Sequence, residues 1–178
     1  MEVGIGNGHC IQHNKEFIIE NNYKIKGIDI DIEYLNVCKE RINNNNLQEY
    51  VSCEYQDLLT MPENIKYDYV FFMESYPVIS EKLMKQMLGK CKNILSKKGK
   101  IIFCHNLVKQ KNPIINIFKP NIKYLPGNVD FGRLTSHEEF DNLMKDANVK
   151  IVKKDTIMYK KILGYEMETF CIICRVNK

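Results

Sequence analysis

A chain of 178 residues has room for one substantial core but not for two domains of ordinary size, and its 44% apolar and 27% charged composition excludes disorder as the default. With 26 Lys and Arg against 22 Asp and Glu, the formal net charge of +4 permits an acidic ligand without demanding nucleic acid. No run approaches about 18 consecutive apolar residues and the first 25 residues are studded with polar groups, so neither a membrane span nor a secretory signal is expected, and a cytoplasmic location is.

The opening MEVGIGNGHC is a short apolar stub that ends in Gly4, Gly6 and Gly8. That spacing turns a strand sharply into a helix and lets the backbone approach a ligand closely, because glycine accepts positive φ and has no Cβ. A nucleotide-like ligand and a plain glycine-rich turn are both open at this point. Residues 10–20 read as a helix with Ile11, Phe17 and Ile18 toward the core, and YKIKGIDI at 23–30 as a strand that ends in Asp29. In a doubly wound sheet the second strand ends beside the first, so Asp29 is placed to accept hydrogen bonds from both hydroxyls of a ribose held over the glycine turn. Its alternative is a strand-end or helix-capping carboxylate. A dinucleotide-binding dehydrogenase shares both features.

From Ile32 to about Ile42, Leu35, Cys38 and Ile42 recur at helical spacing until the amides of Asn43 to Asn46 compete for the backbone. EYVSCEYQD at 49–57 reads as a short strand ending in Asp57. YDYVFFMESYP at 67–77 reads as a central strand covered on both faces, broken by Pro77. Residues 79–96 predict a helix with Leu83, Met87, Cys91 and Leu95 along one face, followed by a tight turn at KKGK, 97–100, and the strand IIFCHNL. Residues 108–134 hold Pro113, Pro120, Pro126 and Gly127 and are too long for a routine connection, which makes them a lid or a locally structured insert. Ser136 with Glu139 forms the box expected at a helix start. The runs VKIVKKDTIMY and METFCIICRV then form a strand hairpin at one edge, joined by KKILGYE. The pattern as a whole predicts one α/β domain over 1–178: a Rossmann-like, mostly parallel seven-stranded sheet with helices on both faces and an antiparallel C-terminal strand pair.

The chain resembles the class I S-adenosylmethionine-dependent methyltransferases through EVGIGNG, GIDI, YQD, YDYVFFMES, KKGKIIF and the final strand pair. MES before a helix is most similar to the tocopherol, sterol and related natural-product enzymes of that superfamily. The resemblance implies S-adenosyl-L-methionine as cofactor and a small-molecule methyl acceptor. By the same resemblance Glu2 matches the acidic position before the glycines, and Gly4, Ile5, Gly6 and Gly8 the turn around the methionine and ribose. Asp29 matches the ribose ligand, Ile30 the apolar neighbour of adenine, Asp57 the carboxylate facing the adenine amino group, and Leu58 an amide and an apolar contact to the ring. Met73 lies where the family contacts the cofactor.

Methyl transfer from a sulfonium needs an aligned acceptor rather than a metal or a covalent nucleophile, so no catalytic triad is required. Glu74 is the leading acceptor-side residue. Tyr76 and His105 follow as groups at C-terminal strand ends, His105 as a base near neutral pH. Phe118, Tyr124, Phe131 and Arg133 are candidate acceptor contacts in the insert. No metal is expected: His9 and His13 share only a helix face, and Cys171 and Cys174 point to opposite faces of a strand. The remaining cysteines, at 10, 38, 53, 91 and 104, complete an odd, dispersed set that reads as reduced thiols. The lysines read as a solvated surface rather than a nucleic-acid face.

Two departures qualify the family reading. Val78 stands where the related enzymes often carry His, and the first strand begins at the initiator Met with no helices before it. Residues 108–134, a second copy of the chain or another partner would then have to cover the acceptor. The alternatives are a catalytically inactive cofactor-binding or interaction module, and a protein or RNA methyltransferase.

Overall fold

Strands and helices alternate through the computed structural model, which describes residues 1–73, 79–108, 135–162 and 165–176. In chain order they are β1 (Glu2–Val3), α1 (His9–His13), α2 (Lys15–Glu20), β2 (Ile25–Asp29), α3 (Ile32–Asn44), β3 (Val51–Tyr55), β4 (Tyr67–Met73), α4 (Glu81–Ile94), β5 (Leu95–Val108), α5 (His137–Asp146), β6 (Val149–Ile162) and β7 (Tyr165–Val176). The strands form a Rossmann-like, mostly parallel seven-stranded sheet of order β3-β2-β1-β4-β5-β7-β6, with helices on both faces and an antiparallel C-terminal pair. Two compact units divide the chain, Met1–Pro62 and Glu63–Lys178. No helix among the described residues is long and apolar enough to cross a membrane.

In the first unit β2 pairs in parallel with both β1 and β3, with Glu2 opposite Gly27, Val3 opposite Ile28, and Asp29 opposite Tyr55. Ile11 of α1, Ile18 of α2, and Leu35, Cys38 and Ile42 of α3 pack with Ile5, Val51 and Cys53 into one apolar cluster. The helix expected over 10–20 is two helices. Asn14 breaks it at φ −107°, its side-chain amide donating to the Cys10 carbonyl at 2.8 Å in competition with the helical ladder. Asp31 caps α3, its Oδ1 accepting from the Glu33 and Tyr34 amides at 2.9 and 3.1 Å. The asparagine run ends that helix as expected, with Asn46 at φ 56°.

Gly27 leaves the space that Ile5 occupies: a Cβ there would stand 2.1 Å from Ile5 Cδ1 and 2.9 Å from Ile5 Cβ. Gly27→Ala is therefore expected to destabilise the unit by about 1–3 kcal/mol through overpacking, read as a lower urea midpoint, and Ile5→Val in the same chain should recover part of it.

The second unit pairs β4 with β5 in parallel and continues antiparallel through β7 to β6. The expected tight turn at 97–100 is absorbed into β5. Tyr67 pairs with Leu95 and Tyr69 with Lys100, so residues 96–99 bulge against a two-residue step on β4. The buried stripe of α4 is Met84, Met87, Leu88, Cys91 and Ile94 rather than the strict four-residue ladder from Leu83 to Leu95. Four residues exceed one 3.6-residue turn, so such a ladder winds off the buried face. At α5 the Ser136 and Glu139 box forms as read, each side chain bonded to the other residue's backbone. Val108 donates its amide to the Thr135 carbonyl at 3.0 Å and also forms an isolated bridge with Ser136, so the two ends of the predicted insert are joined where it leaves and re-enters the unit. The insert beyond Val108 lies outside the described residues.

Candidate functional site

Asp29 organises the turn that follows β1. Gly4, Gly6 and Gly8 take φ values of 74°, 56° and 72°, a left-handed conformation that side chains rarely adopt. The Gly4 and Ile5 amides both donate to the Ile28 carbonyl, at 2.8 and 3.2 Å, which carries β1 past the end of its neighbour. The Gly6 amide then donates to Asp29 Oδ2 at 2.8 Å, while Asp29 Oδ1 accepts from the Ile30 and Asp31 amides at 2.8 and 3.0 Å. A carboxylate held by three backbone donors is preorganised, and of its roughly four acceptor positions one, on Oδ2, is left for a ligand hydroxyl. A Cβ built on Gly6 meets nothing within 4 Å, so that side of the turn is open to a ligand.

The opposite side is closed. A Cβ on Gly8 would sit 2.7 Å from the buried Cys38 sulfur. Gly8→Ala combines that contact with a left-handed backbone, and a loss of about 2 kcal/mol in unfolding free energy is expected by chemical denaturation. Arg41 Nη1 donates to the Asn7 carbonyl at 2.8 Å and ties the turn to α3, a tether the sequence patterns did not reveal.

Glu2 is 7% exposed, and its burial, outweighing the nearby N-terminal charge, raises its carboxyl pKa to about 7, with Asp29 adding to the rise. Ile30 and Asp57 are exposed at the ends of β2 and β3. Asp57 Oδ1 accepts from the Leu59 amide at 2.8 Å and turns the chain there. Two of the family-matched residues have buried side chains. The Leu58 side chain is 1% exposed and packs into the core, and Ile5 is likewise buried. Tyr55, 64% exposed and in register with Asp29, presents an aromatic ring beside the site that the motif reading passed over.

Met73 and His105 belong to the second unit, Met73 as the last residue of β4 opposite Cys104 and His105 on β5 opposite Phe170. Burial disfavours the imidazolium of His105 and lowers its pKa to about 3, so the fold makes a neutral imidazole there rather than a base titrating near pH 7. Glu74, Tyr76, Phe118, Tyr124, Phe131 and Arg133 lie outside the described residues. Among the described residues no three His, Cys, Asp or Glu side chains converge as metal ligands.

A family model for a methyltransferase domain matches residues 1–99, more than half of the chain and all of the glycine turn, β2 and β3. The chain belongs to the methyltransferase domain family. Solved structures share the fold of this methyltransferase domain at low identity. LepI, solved with SAH and a substrate analogue, superposes with a TM-score of 0.73 at 9% identity over 99% of this chain and 42% of its own. The [4+2]-cyclase SpnF gives 0.70 at 14%, over 98% and 74%. Geranyl diphosphate C-methyltransferase from Streptomyces coelicolor A3(2), solved with Mg2+, geranyl diphosphate and S-adenosyl-L-homocysteine, gives 0.68 at 10%, over 97% and 68%. The methyltransferase domain thus spans less than half of the LepI chain. No curated protein matches it.

Proposed function

We propose that this methyltransferase domain binds S-adenosyl-L-methionine at the glycine turn and passes its methyl group to a small-molecule acceptor by in-line displacement. The observation that carries the reading is the Gly6 amide bound to Asp29 Oδ2, which brings the turn and the ribose-type carboxylate to the ends of adjacent parallel strands. The open side of Gly6 fits the close approach of such a cofactor. Bound there, the cofactor supplies an electrophilic methyl group on a sulfonium. Asp29 accepts from the ribose at its remaining Oδ2 position, Ile30 and Tyr55 offer apolar surface to the adenine, and Asp57 faces its amino group. Glu2 takes the acidic position before the glycines, at the methionine end. Rate enhancement then comes from alignment and fixed charge, with Glu74 orienting the acceptor.

Tocopherol-like and sterol-like ring acceptors head the set to be tested, and a reduced cytoplasmic compartment suits seven cysteines without a disulfide. Residues 108–134, a second copy or a partner chain would complete the acceptor side.

The experiment is native mass spectrometry with S-adenosyl-L-homocysteine, followed by methyl-transfer assays across amine, phenol, lipid-like, peptide and RNA acceptors. Tight NADH binding with no affinity for the homocysteine product would overturn the cofactor. Cofactor binding without transfer to any acceptor would instead favour a binding module, and the [4+2]-cyclase name of SpnF shows that this fold hosts chemistry other than methyl transfer.

A further inference from the structure

Sequence spacing alone places His9 and His13 on one helix face, four residues apart. The structure adds that their Nε2 atoms converge, 3.0 Å from each other, with ring centroids 4.3 Å apart and the ring planes nearly perpendicular. Both side chains are exposed on α1, the helix that starts directly after Gly8. One ring donates Nε2–H to the other ring's Nε2 lone pair, which holds the two nitrogen atoms 3.0 Å apart on one side of the helix turn.

We propose that His9 and His13 form a bidentate site for a late first-row divalent metal ion of the Ni(II) or Cu(II) kind. Metal–nitrogen bonds of about 2.0–2.1 Å from two atoms 3.0 Å apart subtend about 95° at the ion. That is the cis angle of square-planar or octahedral coordination. A tetrahedral zinc ion, at about 109°, would need the nitrogens about 3.3–3.4 Å apart. Binding forms two metal–nitrogen bonds, displaces two of the ion's water ligands and breaks the imidazole–imidazole hydrogen bond. The donor ring moves its proton from Nε2 to Nδ1, so no net proton leaves and nothing is oxidised. Water fills the other coordination positions.

The consequence is mechanical. α1 has five residues, too few to be stable on its own, and an ion bridging positions four apart clasps its single turn and with it the backbone that begins at Gly8. The two remaining histidines do not compete: His105 is buried and His137, on α5, is largely covered.

The test uses the untagged full chain, with Ni(II) titrated by calorimetry and followed by its ligand-field absorbance, in the wild type and in His9→Gln, His13→Gln and Cys10→Ser. The expected result is one equivalent of Ni(II) bound per chain, held more tightly than Zn(II), with affinity reduced at least about tenfold in either histidine variant and retained in the cysteine variant. Ni(II) should also raise the unfolding temperature only where both histidines are present. Affinity within twofold of wild type in either histidine variant would overturn the proposal, as would loss of binding in Cys10→Ser or a preference for Zn(II). Both histidines are exposed, so the variants are expected to fold.

Discussion

Asp29→Ala is expected to weaken S-adenosyl-L-homocysteine binding by about 10- to 100-fold, measured by calorimetry. A hydrogen bond from a ribose hydroxyl to the remaining acceptor position of the carboxylate contributes about 1.5–3 kcal/mol, and alanine removes it. The same substitution strips the Gly6, Ile30 and Asp31 amides of their acceptor, so the apo chain should also unfold at lower temperature. Asp29→Asn separates the two effects. Its single oxygen can still serve Ile30 and Asp31, but the amide nitrogen is a donor facing the Gly6 donor, so the turn loosens while the start of α3 holds. Product affinity within threefold of wild type in Asp29→Ala would contradict the placement of the ribose.

Stability is expected to fall by about 3 kcal/mol as pH rises from 4.5 to about 7, with Glu2 as the source. The unfolded carboxyl loses its proton near 4.5, while burial keeps the folded one protonated until about 7. Within that window the folded state binds more protons than the unfolded state, so each step up in pH favours unfolding. Above the window the loss is complete and constant. Below it the contribution vanishes. Glu2→Gln removes the ionisable group and should flatten that part of the profile, leaving the variant more stable than wild type at pH 7.5. Urea denaturation at pH 5, 6, 7 and 8 measures it. Parallel profiles for the two proteins would show that Glu2 is not the group responsible.

How much of this was legible beforehand depends on the range over which each feature is encoded. The glycine turn and Asp29 were readable because backbone sterics and hydrogen-bond geometry restrict such positions to a few residue types. The box at Ser136 and Glu139 was readable for the same local reason. Contacts between elements were not. Nothing adjacent to Gly27 announces that Ile5 fills its missing side chain, and nothing near Gly8 announces Cys38 beneath it. Leu58 carries a family position and a core position at once, and only packing shows that its side chain belongs to the core. His105 reads as a base from its strand end, yet burial decides its charge. The broken helix at Asn14 and the bulge at 96–99 turn on competition between local backbone bonds and the neighbouring strand.

The stitch between Val108 and Thr135 has a bearing on how such a domain diversifies. When the two stems of an excursion are bonded to each other, the closure entropy of whatever lies between them changes by only about 0.6 kcal/mol per doubling of its length. Descendants of this chain are thereby free to exchange, lengthen or shorten the intervening residues without re-solving the packing of β5 and α5. Change between the two stems and structural integrity can then be inherited separately.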